Sequence, residues 1–116
     1  MPDGMLREFF LGFVRIHILH SAAQDPLFGL ALIEDLHRRG HELSAGTLYP
    51  ILHGLESAGY LAHENRLVEG KVRRYYTTTE NGERALCEAR RCVQELVEEL
   101  LDVRGATRHA TDNRLR

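Results

Sequence analysis

The 116-residue sequence predicts a mainly α-helical fold with one small β-hairpin, on three observations. Apolar residues recur at helical spacing in four separate stretches. Residues 60–78 break that period with short runs rich in Tyr, Val and Thr around a glycine. Gly, Asp and Ser punctuate the boundaries between these segments. A chain of this length suits one hydrophobic core with an extended arm, so residues 1–116 are expected to form a single domain.

The first helix is expected over residues 5–24. Leu6, Phe9, Phe10, Phe13, Val14, Ile16, Ile18 and Leu19 leave it no continuous polar face, so it needs cover on more than one side. In so short a chain that cover includes a second copy, which makes Phe9, Phe10 and Phe13 candidate dimerisation residues. Asp25 then offers an N-cap and Pro26 a first-turn residue for a second helix, about Pro26–Arg39, which Gly40 ends. Ser44 is a good N-cap for a third helix, with Leu48, Ile51, Leu52 and Leu55 on its buried face and its end near Gly59. Pro50 falls inside it, where a regular helix loses about 3 kcal/mol.

Tyr60–Glu64 and Val72–Thr78 read as two strands around a turn that includes Gly70. After Thr79-Glu80-Asn81-Gly82 a last helix, residues 79–104, carries Leu86, Ala89, Val93, Leu96, Leu100 and Val103 in steps of 3, 4, 3, 4 and 3, an a/d seam. The seam is too short for a free coiled coil but long enough to zip two helices inside a larger interface, so Leu86, Val93, Leu96 and Leu100 join the dimerisation set. Residues 105–116 have no apolar period and are expected to be disordered.

Composition narrows the function by exclusion. The hydrophobic share of 43% and charged share of 28% are those of an ordinary globular chain. Arg15 and His17 interrupt the richest apolar stretch well short of the roughly 18 residues a membrane span needs. Arg7 and Glu8, mixed in sign, do not make a secretory leader, and a cytoplasmic location is expected. Cys87 and Cys92 point about 140° apart on a helix, cannot pair within one chain, and are expected as small core residues. No nucleophile elbow, phosphate-binding loop or dinucleotide turn is present, so no enzyme and no cofactor is expected. His17 and His20 have a possible metal-ligand spacing without the accompanying frame, and no metal is assigned.

The net charge of −2 is unevenly spread. Arg66, Lys71, Arg73 and Arg74 sit against Glu69 alone, whereas Glu95, Glu98, Glu99 and Asp102 crowd a later stretch. The first stretch suits phosphate and the second repels it. Helix, helix, tight connection, helix and β-hairpin is the plan of a winged helix-turn-helix, here residues 25–78, whose third helix reads the major groove of double-stranded DNA. Ser44, Gly46, Thr47, Tyr49, Pro50 and His53 on that helix, and Lys71, Arg73, Arg74 and Tyr75 on the wing, are the candidate DNA contacts. Tyr75 and Tyr76 point to opposite faces of the strand, so one of them is expected in the core.

The runs Leu43-Ser44-Ala45-Gly46-Thr47-Leu48-Tyr49-Pro50 and Leu55-Glu56-Ser57-Ala58-Gly59-Tyr60-Leu61, with Arg73-Arg74-Tyr75-Tyr76 and Thr79-Glu80-Asn81-Gly82, resemble the PadR family of bacterial transcriptional regulators, in its short subfamily. The likeness runs from about Leu6 to Arg104. It implies a homodimer, held by the N- and C-terminal helices, that binds a palindromic operator, usually as a repressor, and often releases it on meeting a small-molecule effector. It also accounts for Pro50, which the family keeps inside its recognition helix. Three places depart from the family pattern: Gly29-Leu30 where the family has Gly-Tyr, Ala45 where it has Pro, and Thr78-Thr79 where it has Leu-Thr. Phe10, Phe13 and His17 mark where an effector pocket is sought, a reading that competes with a packed dimer interface. The alternative function is a winged-helix module that docks a protein and does not bind DNA.

Overall fold

A computed structural model describes residues 4–101. In chain order it contains α1 (Gly4–Gln24), β1 (Leu27–Phe28), α2 (Gly29–Arg38), α3 (Ala45–Ser57), β2 (Leu61–Val68), β3 (Lys71–Thr78) and α4 (Glu80–Leu100). The expected tail, 105–116, and the last expected helical residues Val103 and Arg104 lie outside the described residues. The chain divides after Leu86 into two compact units.

In the first unit Phe10, Val14 and Ile18 of α1 follow one another at i, i+4 and i+8, and turn a single stripe inward. They join Leu32 and Leu36 of α2, Leu48 and Leu52 of α3, Leu61 and Tyr76 of the sheet, and Leu86 in one buried cluster. Phe10 and Leu86, expected to meet a second copy, are therefore core residues, 5% and 3% exposed. Part of the α1 surface remains apolar and open, at Met5, Leu6, Phe9 and Phe13.

The second helix starts later than its capping signal suggests. Leu27 and Phe28 form a short strand that pairs antiparallel with β3, Leu27 opposite Tyr76 and Phe28 opposite Tyr75. Phe28, with no side-chain cap, then precedes α2. An Asp25 cap is worth about 1 kcal/mol, whereas burying a leucine is worth about 1.5–3 kcal/mol, so Leu27 in the core outweighs the local signal. The hairpin becomes a three-stranded sheet of order β1-β3-β2. At the other end of α2, Arg39 is the C-cap and Gly40 has φ 88°, the left-handed position expected of it.

Ser44 caps α3 as expected, its Oγ accepting from the Thr47 N–H at 3.2 Å. Pro50 lies in the helix and is exposed, as is Gly46, whose carbonyl loses its partner to the missing N–H and faces water. The two wing strands are longer than the apolar pattern shows, because a backbone ladder forms through polar residues such as Asn65 and Arg66 as well. Glu69 (φ 51°) and Gly70 (φ 81°) make the two-residue turn between them, the conformation that matches strand twist.

Thr79 fastens the start of α4. Its N–H donates to the Tyr60 carbonyl at 3.1 Å, and its hydroxyl donates to the Gly59 carbonyl at 2.6 Å and accepts from the Gly82 N–H at 3.0 Å. Gly82 is buried so tightly that an added Cβ would run into the Tyr60 carbonyl.

The second unit contains the rest of α4. Val93, Leu96, Val97 and Leu100 are 37–69% exposed, and Arg91 pairs with Glu88 and Glu95. Cys87 and Cys92, expected in the core, are both exposed. No described helix is long and apolar enough to cross a membrane.

Candidate nucleic-acid interface

The N-terminal turn of α3 is open to solvent. Ser44, Gly46, Tyr49, Pro50 and His53 are exposed and Thr47 is half-buried, while Leu48, Ile51, Leu52 and Leu55 hold the helix to the core. The Ser44 hydroxyl donates to the Thr47 hydroxyl at 3.2 Å, which fixes two polar groups at the leading turn. Tyr49, which the sequence leaves open between core and surface, is 41% exposed. Its ring lies flat enough on α2 that a Cβ at Gly29 would approach its Cε1 to 3.0 Å. Gly29 thus permits the hydroxyl end of the Tyr49 ring to rest on the start of α2.

The wing strand β3 splits its side chains by face. Tyr76 is the core member of the tyrosine pair, 2% exposed, and Tyr75 lies half-buried on the outer face. Arg74 shares the Tyr76 side but stands beyond the core and is exposed. On the outer face the Arg73 guanidinium lies 4.8 Å from the centre of the Phe28 ring, and Phe28 in turn lies 5.6 Å from Tyr75. Among the described residues Lys71, Arg73 and Arg74 have no carboxylate within ion-pair distance.

Two participants escape the candidate set drawn from sequence. Phe28 is hidden because its segment reads as helix. Arg66 belongs to the basic run, but its place beside Arg73 depends on the strand register, which the Glu69-Gly70 turn sets. The α3 helix itself holds no Lys or Arg, so the cations of this surface come from the wing. His63 Nδ1 and Glu56 Oε2 lie 2.5 Å apart and tie the end of α3 to β2.

The structure brings Phe10, Phe13 and His17 together on one side of α1. Ring centres of Phe10 and Phe13 are 6.1 Å apart, those of Phe13 and His17 are 5.8 Å apart, and His41 packs 5.7 Å from both phenylalanines. His17 Nε2 is buried without a hydrogen-bond partner, 4.0 Å from Asp35 Oδ2. Burial, followed by the positive charge of Arg39, lowers its pKa below the ordinary 6.5, against the opposing pull of Asp35.

Comparison with known proteins agrees with this architecture. Residues 18–88 match the model of the PadR-like family of transcriptional regulators. A transcriptional regulator of Mycobacterium tuberculosis is 45% identical over 108 residues, which cover 93% of this chain and 98% of that one. A PadR family transcriptional regulator from Eggerthella lenta superposes with a TM-score of 0.69 at 34% identity, over 85% of this chain and 90% of that one. A PadR-like transcription factor from Bacteroides fragilis superposes with a TM-score of 0.73 at 26% identity, over 87% and 99%. A matched span that runs from α1 through the recognition helix and wing into α4, together with a relative similar along nearly its whole length, means that this chain belongs to the PadR-like family of transcriptional regulators.

Proposed function

We propose that the chain acts as a homodimeric repressor that binds an inverted-repeat operator, with α3 in the major groove and the wing along the backbone. The observation that carries this reading is the solvent-open turn Ser44–Tyr49 on the same sheet-and-helix body as three wing cations with no carboxylate partner among the described residues. Thr47 and Tyr49 read base edges, with Ser44, Gly46, Pro50 and His53 around them; Lys71, Arg73, Arg74 and Tyr75 contact the backbone. One copy offers few base contacts, so useful affinity comes from two copies at a fixed spacing of about 34 Å. The exposed Val93, Leu96 and Leu100 of α4, and separately Phe9 and Phe13 of α1, supply apolar surface for the second copy. A small molecule that alters the spacing of the two copies alters operator occupancy.

Selection of bound duplexes from a random pool tests the reading. It is supported by an enriched inverted repeat with half-sites one helical turn apart and by repression of a reporter placed behind that repeat. Binding that is absent at low salt, or that is insensitive to salt, overturns it in favour of a protein-docking module.

A further inference from the structure

The outer face of the wing carries an arrangement that the strand register creates. Arg66 and Arg73 are direct cross-strand partners, so two arginine side chains leave the hairpin from neighbouring positions on the same face. Like charges in that position oppose strand pairing. Both are nevertheless held in place: the Arg66 guanidinium lies 4.7 Å from the centre of the Tyr75 ring, the Arg73 guanidinium 4.8 Å from that of Phe28, and the two rings adjoin at 5.6 Å. These cation–π contacts hold the two guanidiniums against the ring faces, where their N–H groups can donate to an anion. Glu64, two residues before Arg66 on the same strand face, accepts from the Arg66 Nε at 2.5 Å. Among the described residues it is the one carboxylate in ion-pair distance of either arginine. Two cations and one carboxylate leave the strip one negative charge short.

We infer that Arg66 and Arg73 together clamp a single backbone phosphate of duplex DNA, and that Glu64 occupies Arg66 in the free protein and yields it to that phosphate. The inference rests on the DNA-binding reading above and adds to it a specific site, with an internal anion as its competitor. Position supports DNA as the source of the phosphate. Phe28 is followed directly by Gly29, on which Tyr49 of α3 rests, so the arginine strip continues from the outward-facing side of the recognition helix. Lys71, on the same face of β3 as Arg73, adds positive charge beside it. The planar, forked guanidinium matches the paired oxygens of a phosphodiester, which a lysine at the same position does not.

The test is salt-dependent binding of the full chain to a labelled duplex bearing the selected repeat and to a random-sequence duplex. Arg66→Ala and Arg73→Ala each weaken binding to both duplexes. Because the two arginines share one phosphate, the double variant lowers the slope of log K against log salt by about 0.9, one phosphate's worth, not about 1.8. Glu64→Gln tightens both duplexes several-fold, since it removes the competing anion while keeping the side chain's shape. Arg66→Lys retains a charge and a stem over Tyr75 but recovers only part of the affinity, which separates the clamp from a loss of hairpin structure. A wild-type chain that binds while Arg66→Ala binds equally well, or a double variant that loses about 1.8 in slope, overturns the shared clamp and leaves the DNA-binding reading standing. A wild-type chain that binds neither duplex overturns both.

Discussion

Adding one methyl group at Gly29 separates the orientation of Tyr49 from the stability of the fold. In Gly29→Ala the new Cβ stands 3.0 Å from Tyr49 Cε1, 3.1 Å from its hydroxyl oxygen and 3.3 Å from Cζ. These contacts are tighter than ordinary van der Waals packing, so the ring must withdraw by a few tenths of an ångström. Tyr49 is 41% exposed and has room to do so. The strain is therefore released outward, and alanine at the start of α2 returns up to about 0.5–1 kcal/mol of helix propensity. Net stability is expected to move by less than about 1 kcal/mol. Operator binding is expected to fall, with a ceiling at the about 1–3 kcal/mol that a base-contacting side chain contributes. Fluorescence anisotropy on operator and random duplexes reads the loss, and urea melts read the stability. The decisive measurement is the same substitution in a Tyr49→Ala background, where no ring is left to displace and Gly29→Ala should change operator affinity little. An equal loss in both backgrounds would refute the proposed route from Gly29 to the DNA.

Other expectations follow from the same contacts. Gly82→Ala drives a Cβ into the Tyr60 backbone carbonyl, which cannot swing aside as a side chain does, so a loss of at least about 1–3 kcal/mol is expected in chemical denaturation. Thr79→Ala removes the cap of α4 and the bond to Gly59 and should cost about 1 kcal/mol by the same assay, with Thr79→Ser restoring most of it. Since the folded-state pKa of His17 is lowered, the unfolded chain binds the extra proton first; the contribution of neutral His17 is full above pH 6.5 and is lost as pH falls below that value toward the folded one. Urea midpoints should drop over that window in the wild type and drop less in His17→Phe. Leu96→Glu places a charge on the exposed seam of α4 and should shift sedimentation toward monomer while leaving the helical circular dichroism intact.

Membership in a family of transcriptional regulators was legible from the start of the third helix together with the runs 55–61, 73–76 and 79–82. Ser44 reads as a cap because its hydroxyl can reach a backbone N–H three residues on, and it does. The buried face of α3 follows from 3.6-residue periodicity, and Tyr76 over Tyr75 follows once one wing face meets the core. These features are local, and local geometry is what spacing encodes. Errors arose where a distant segment competed. Asp25 and Pro26 carry a helix signal, yet β3 presents an open edge from some fifty residues away, and Leu27 gains more by pairing there. Phe10 and Leu86 look like interface residues because periodicity marks a face as apolar without stating what covers it. Cys87 and Cys92 look like core residues for the converse reason.

The sequence by itself determined the order of elements, the capped recognition helix and the basic character of the wing, since each depends on residues within a turn or two of one another. Only the tertiary structure decided the third strand, the seat of Tyr49 on Gly29, and the pairing of Arg66 with Arg73 over two aromatic rings. Those contacts join segments through backbone edges and strand register. A two-residue turn sets that register for the whole hairpin, and a shift of one residue would send every wing side chain to the opposite face.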